Sequence, residues 1–179
     1  MDLEEKTLSK EYAFKGRIIN LRVDKVELPD GSVSTREIVE HNGGIGVLPI
    51  DDEMNVYVVK QWRSPYKRVV LEIPAGKRDG DEKPLDCGIR ELKEEIGAVA
   101  NEYTYLGELL PSPGYCGEII YIYLARGLTF ENQKLDEGEF LNVEKMPFKK
   151  LVEMVMNGEV CDTKTQIAVL KADKLLNQK

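Results

Sequence analysis

The 179 residues include only three cysteines, one histidine and one tryptophan. Cys87, Cys116 and Cys161 lie far apart and form no metal-ligand spacing, which excludes a disulfide scaffold and a cysteine-based metal centre. So sparse and odd a set predicts reduced thiols and a cytoplasmic location. The single histidine, His41, leaves no basis for a His-rich metal site and argues against a Ser-His-Asp hydrolase; beside Gly43-Gly44 it reads as an ordinary polar turn residue. Positive charge is also in deficit. The 25 Lys and Arg against 32 Asp and Glu give −7, with a pI near 5.0, so the basic footprint of a nucleic-acid binder is missing. No apolar run approaches a membrane span, and residues 1–10 are polar and acidic, unlike a secretory signal. There is no internal repeat, low-complexity tract or Pro/Ser-rich linker.

What is present suits one ordinary domain with a small appendage: 42% hydrophobic and 32% charged residues can build a real core. The first 43 residues read as strands: a short one at Tyr12–Phe14, an extended run through Ile18, Val23 and Val26, the turn Pro29-Asp30-Gly31, and a returning strand over residues 32–40. A unit of this size buries little by itself and should pack on the main domain or on another chain. From residue 44 onward, strands are expected at 45–50, 56–62, 69–73, 103–110, 118–125 and 140–143. Pro74-Ala75-Gly76 reads as a closing turn. Helices are expected at 84–96, stopped by Gly97, at 147–157 and at 163–176. Interleaved strands and helices predict an α/β fold, a mixed sheet with helices on both faces.

The helix at 84–96 carries an unusual charge pattern. Leu85, Ile89, Leu92 and Ile96 form one apolar stripe, with Gly88 beside it for close packing. Glu91, Glu94 and Glu95 crowd the adjoining sector, near the helix C-terminus where the macrodipole disfavours carboxylates. Arg90 can pair with Glu94 at i,i+4. A solvated acidic face is one reading. Clustered carboxylates at the edge of a core also suit a hard divalent cation that bridges to substrate phosphates.

Those residues also match a longer pattern: Gly76, Glu82, Arg90-Glu91-Leu92, Glu94-Glu95, Gly97 and Ala98. The spacing resembles the Nudix box, Gly-x5-Glu-x7-Arg-Glu-U-x-Glu-Glu-x-Gly-U, at every specified position. The resemblance implies a Nudix α/β/α sandwich with a mixed β-sheet over residues 44–179, preceded by a small antiparallel β unit over residues 1–43 that serves dimerisation and is exchanged between subunits. It implies hydrolysis of a diphosphate linkage with Mg²⁺, Mn²⁺ being a substitute. Carried onto this chain, Glu91 and Glu95 are expected metal ligands, Glu94 a further ligand or orienter, Arg90 a partner holding the carboxylates, and Glu82 a supporting acid.

Substrate choice is narrowed by features outside the box. The segment 71–76, Leu-Glu-Ile-Pro-Ala-Gly, resembles the strand entering the box in ADP-ribose pyrophosphatases, where the residue before the glycine lends its carbonyl to a metal; Ala75 is the match. Pro113, followed by Glu118 as a substrate-binding candidate, resembles a downstream feature of the same subfamily. Residues 135–139 resemble an acidic loop that closes on substrate, with Glu139 matching a metal ligand and Glu137 a general base; an acidic surface loop is the alternative. Arg63 resembles a diphosphate-binding arginine, and Arg36, with no obvious local role, resembles one donated across a homodimer. Either arginine could instead be a surface residue, Arg36 more readily than Arg63, and Trp62 and Tyr12 suit adenine stacking or plain packing. The implied activity is conversion of ADP-ribose to AMP and ribose 5-phosphate, with no nucleic-acid or membrane partner. Another nucleotide sugar such as GDP-mannose, and a non-catalytic nucleotide sensor on the same fold, remain alternatives.

Overall fold

The computed structural model describes residues 2–177, so Met1 and the last two residues of the expected 44–179 domain lie outside the description. The chain divides into two compact units, Met1–Gly43 with Leu110–Ile119, and Gly44–Leu109 with Ile120–Lys179.

The first unit is a three-stranded antiparallel sheet, ordered β1 (Lys6–Lys15), β2 (Asn20–Glu27), β3 (Val33–Glu40). Gly31, at φ 82°, makes the tight β2–β3 turn, and Asp30 Oδ1 accepts from the Ser32 amide at 2.9 Å. Residues 110–119 attach to β3: the Val39 amide donates to Tyr115 O at 2.8 Å, and the Gly117 amide donates to Val39 O at 2.9 Å. Strand β1 is longer than the apolar pattern indicated, because backbone pairing with β2 extends through residues 6–10, which are polar apart from Leu8. Every residue of β1 is exposed, including Leu8, Tyr12 and Phe14. Inside the unit, buried Asp24 accepts from Arg22 at 2.7 Å.

The second unit holds the core. Its four-stranded sheet runs β7 (Ala75–Lys77), β4 (Gly44–Pro49), β9 (Ile120–Phe130), β8 (Ala98–Leu109), with β4 and β9 parallel and the other pairs antiparallel. A second sheet runs β10 (Leu141–Pro147), β5 (Asn55–Arg63), β6 (Arg68–Glu72). Strand β4 is buried throughout, as a strand covered on both faces must be. Ile45 and Val47 face α1 (Pro84–Ile96) through Leu92 and Ile96. Leu48, with Ile122 and Leu124 of β9, faces α2 (Phe148–Met156) and α3 (Thr163–Leu176) through Leu151, Ala168 and Val169. The mixed sheet with helices on both faces is therefore as expected. Three segments differ: residues 75–77 form a short edge strand rather than a turn, because they pair in register with residues 44–46, while β8 starts at Ala98 rather than 103 and β9 runs on to Phe130, because residues 98–100 pair with residues 128–130.

The β4–β5 turn supplies a stability prediction. Asp51 accepts from the Asn55 amide at 2.8 Å and from Lys145 Nζ at 2.8 Å. Burial would push its carboxyl up, but the hydrogen bonds from Lys145 and Asn55 outweigh that and hold it at about 2. A carboxyl depressed on folding stabilises above its ordinary value of 3.8, and the gain disappears as pH falls through about 2. Discounted for solvent screening, the contribution is about 1 kcal/mol. Urea unfolding should show Asp51→Asn less stable than wild type by about that amount at neutral pH. The gap should narrow in acid, and a gap that widens there would refute this account.

Candidate active site

Helix α1 begins at Pro84, whose missing N–H costs nothing at a first helical position, and ends at Gly97 in the left-handed region, φ 68°. Its packing differs from the simple apolar stripe. Cys87, Gly88, Leu92, Glu95 and Ile96 are buried, while Ile89 is 39% exposed. Gly88 sets this orientation, since a Cβ there would meet Ile45 Cδ1 at 2.5 Å. The helix is thereby rotated so that a carboxylate, Glu95, takes an inward position at 1% exposure. The same burial pushes the Cys87 thiol up to about 12, leaving it an inert packing group.

The strand beside the helix is shaped to the carboxylates. A Cβ on Gly76 would lie 1.8 Å from Glu91 Cδ, so only glycine lets that carboxylate rest against the β7 backbone. The adjacent Ala75 amide donates to Glu95 Oε2 at 2.9 Å. Arg90 is the hub of the remaining acids: it donates to Glu82 at 2.9 and 3.1 Å, to Glu91 at 2.8 Å and to Glu94 at 3.0 Å. Its hydrogen bonds hold the Glu82 carboxyl down at about 2. Glu91 and Glu95 move the other way. Burial raises both, Glu95 to about 8, and Glu139 adds to each by repulsion.

Backbone docking of the loop on the end of α1 brings Glu139 to this side of the helix, although it lies 44 positions beyond Glu95 in the sequence. The loop is led there by the end of α1: the Glu131 amide donates to Gly97 O at 2.7 Å, the Lys134 amide donates to Glu94 O at 3.1 Å, and Gln133 Nε2 donates to Glu95 O. Gln61 Nε2 then donates to Glu139 Oε1 at 3.3 Å. Glu137 is exposed, one residue before Gly138 at φ 82°, and is not drawn into this cluster. Gln61, Gln133 and the docking of residues 131–134 were missed in the sequence, which offers no spacing signal for them.

The arginines have partners of their own. Arg63 donates in a bidentate fork to Glu72, 2.6 Å on each side, and remains 38% exposed. Arg36 does have a local partner, contrary to the expectation from sequence: Glu5, at 2.9 Å from Nε, with further bonds to Ser34 and Thr35. Glu118 lies 3.3 Å from His41 Nδ1, and that nitrogen accepts from the Gly43 amide at 3.1 Å, giving His41 its turn role. Trp62 and Tyr12 are both exposed.

A divalent cation fits the chemistry of these donors. The acids are all oxygen ligands, the glycine cradle admits Glu91, and Glu95 is an otherwise costly buried carboxylate whose repulsion a cation would relieve. Among the described residues no three such side chains are already gathered as a ligand set. Arg90 and the Ala75 amide instead hold Glu91 and Glu95.

The family model for the NUDIX domain matches residues 40–162, the stretch that contains this whole cluster. The chain belongs to the Nudix family. It is thus a Nudix hydrolase, of a family that uses divalent metal. A second family model, the nucleoside diphosphate sugar hydrolase N-terminal domain, matches residues 5–39. The hydrolase is 43% identical to an ADP-ribose pyrophosphatase of Bacillus subtilis (strain 168), over 93% of this chain and 91% of that one. It is 39% identical to a methanol dehydrogenase activator of Bacillus methanolicus, with the same two shares of 93% and 91%. A crystal structure of an ADP compounds hydrolase superposes with a TM-score of 0.86, covering 98% of this chain and 96% of that one at 22% identity, which shows the shared fold. Among the described residues no helix is long and apolar enough to cross a membrane.

Proposed function

We infer that this Nudix hydrolase cleaves the diphosphate linkage of ADP-ribose, with Mg²⁺, to AMP and ribose 5-phosphate. The observation that carries the reading is the likeness, over nearly the whole chain, to an ADP-ribose pyrophosphatase. The box geometry supports it. Glu91, Glu95, Glu139 and the Ala75 carbonyl would hold the cations. Bound there, Mg²⁺ would neutralise phosphate oxygens and acidify water. Arg63 donates to the diphosphate from its exposed side. Arg90 keeps Glu82, Glu91 and Glu94 in place. Glu137 takes the proton as water oxygen bonds to phosphorus and the bridging P–O bond breaks, and Gly138 lets that loop move. A non-catalytic sensor is disfavoured because every specified box glutamate is present.

The test is a panel of ADP-ribose, GDP-mannose, NADH, diadenosine polyphosphates and deoxynucleoside triphosphates, with products identified. AMP from ADP-ribose, dependent on Mg²⁺ or Mn²⁺, is the expected result. Pyrophosphate from triphosphates without AMP from ADP-ribose would overturn the substrate assignment and leave the family intact.

A homodimer belongs to the same proposal. Strand β1 exposes Leu8, Tyr12 and Phe14 in a unit with little core of its own, which suits a surface covered by a second copy. Arg36 and Glu118 would then act on substrate from that N-terminal unit. Mixing Arg36→Ala with Glu95→Gln protein should restore activity once subunits exchange. Proven exchange without recovery rejects the shared site.

A further inference from the structure

The box and the loop leave a second charged cluster without a role, where the start of α3 meets the end of β6. Glu72, the last residue of β6, is 2% exposed and carries the Arg63 fork on one side and Lys164 on the other. Lys164 is itself 9% exposed and donates a second bond to Asp162 at 3.0 Å. Asp162 caps α3, accepting from the Thr165 amide at 2.9 Å and from Thr165 Oγ1 at 2.6 Å. That hydroxyl also accepts from the Ile73 amide at 2.8 Å. The first turn of α3 therefore grips both the side chain of Glu72 and the backbone next to it, just ahead of Pro74-Ala75-Gly76.

A lysine is poorly placed for stability there. A buried ammonium is expensive, and the first turn of a helix repels positive charge. Nor is it needed to neutralise Glu72, which already has a bidentate arginine. Its presence changes the state of Arg63. With Glu72 shared between two cations and Asp162 balancing the second, the four charges sum to zero. Removing Lys164 leaves a net negative group beside the place where a diphosphate must sit. It also frees the carboxylate to turn, and the arginine plane with it.

We propose that Lys164 is a positioning residue for substrate binding, fixing the buried Glu72 carboxylate so that it presents the Arg63 guanidinium, in one plane and with its charge available, to the diphosphate of the substrate. This inference rests on the reading of Arg63 as a diphosphate ligand.

A double-mutant cycle of Lys164→Met and Arg63→Lys tests it, with kcat, KM and melting temperature measured on whichever nucleoside diphosphate sugar the wild type hydrolyses. Arg63→Lys keeps charge but loses the fork. Lys164→Met should raise KM about tenfold with kcat within about threefold, and this effect should vanish in the Arg63→Lys background. Lys164→Arg should return KM toward wild type. A lower melting temperature with unchanged KM, or a KM increase that adds fully to that of Arg63→Lys, overturns the proposal. If Arg63→Lys alone leaves KM unchanged, the Arg63 reading fails first and this inference falls with it. Should Lys164→Met not fold, Lys164→Gln keeps a donor for Glu72 without the charge, and the same cycle decides.

Discussion

Glu95→Gln should lower turnover by orders of magnitude while leaving the metal-free protein as stable as wild type or more so. Glu95 is 1% exposed and accepts from the Ala75 amide at 2.9 Å, a bond the glutamine carbonyl oxygen can keep. The substitution removes a buried carboxylate that burial disfavours and that Glu139 and Glu91 repel. Among the described residues no cation pairs with it directly, unlike Glu91, Glu94 and Glu82, which Arg90 holds. The side chain thus costs the fold something, as expected of a carboxylate whose proposed role is to bind a cation. Loss of a charged oxygen ligand weakens any divalent cation at the site, and loss of activity follows. Melting curves in chelator, beside turnover in Mg²⁺, separate the two effects. A marked fall in metal-free melting temperature with normal turnover would show Glu95 to be a structural acid only.

The limits of helix α1 were legible because both of its ends are local events: Pro84 starts it and Gly97 stops it. Which face it buries was less legible. The apolar spacing pointed to Leu85 and Ile89, yet Ile89 is exposed and Glu95 is inside. The reason is tertiary: Gly88 lets the helix settle on Ile45 and Val47 and so fixes its rotation. The edge strand at residues 75–77 was hidden for a similar reason, since Pro-Ala-Gly has turn composition and becomes a strand only because β4 offers it unpaired backbone groups. At the site, the carboxylates could be read from spacing within one helix. The contacts of Glu139 with Gln61, and of Glu72 with Lys164 across 92 residues, have no periodic signature and come from the chain's path alone.

The acidic loop should separate into two roles under mutation. Glu139 sits where Gln61 reaches it, at 3.3 Å, and its charge acts to raise both Glu91 and Glu95. Glu137 is exposed, two residues earlier, across a glycine with positive φ. A ligand and a base fail differently. Glu139→Gln should weaken metal affinity, so activity lost at low Mg²⁺ should return in part at high Mg²⁺. Glu137→Gln should keep metal affinity and KM near wild type and lose roughly 10²–10⁴-fold in turnover, a loss that added Mg²⁺ does not recover. The exposed position of Glu137 makes one further demand: the loop must close over substrate before its carboxylate can reach the water. Gly138→Ala, which strains a backbone held at φ 82° without meeting any neighbour, should therefore slow turnover in the same direction as Glu137→Gln. Wild-type turnover in both glutamine variants at every Mg²⁺ concentration would make the loop a solvated surface and return the search for the base to Glu91, Glu94 and Glu95.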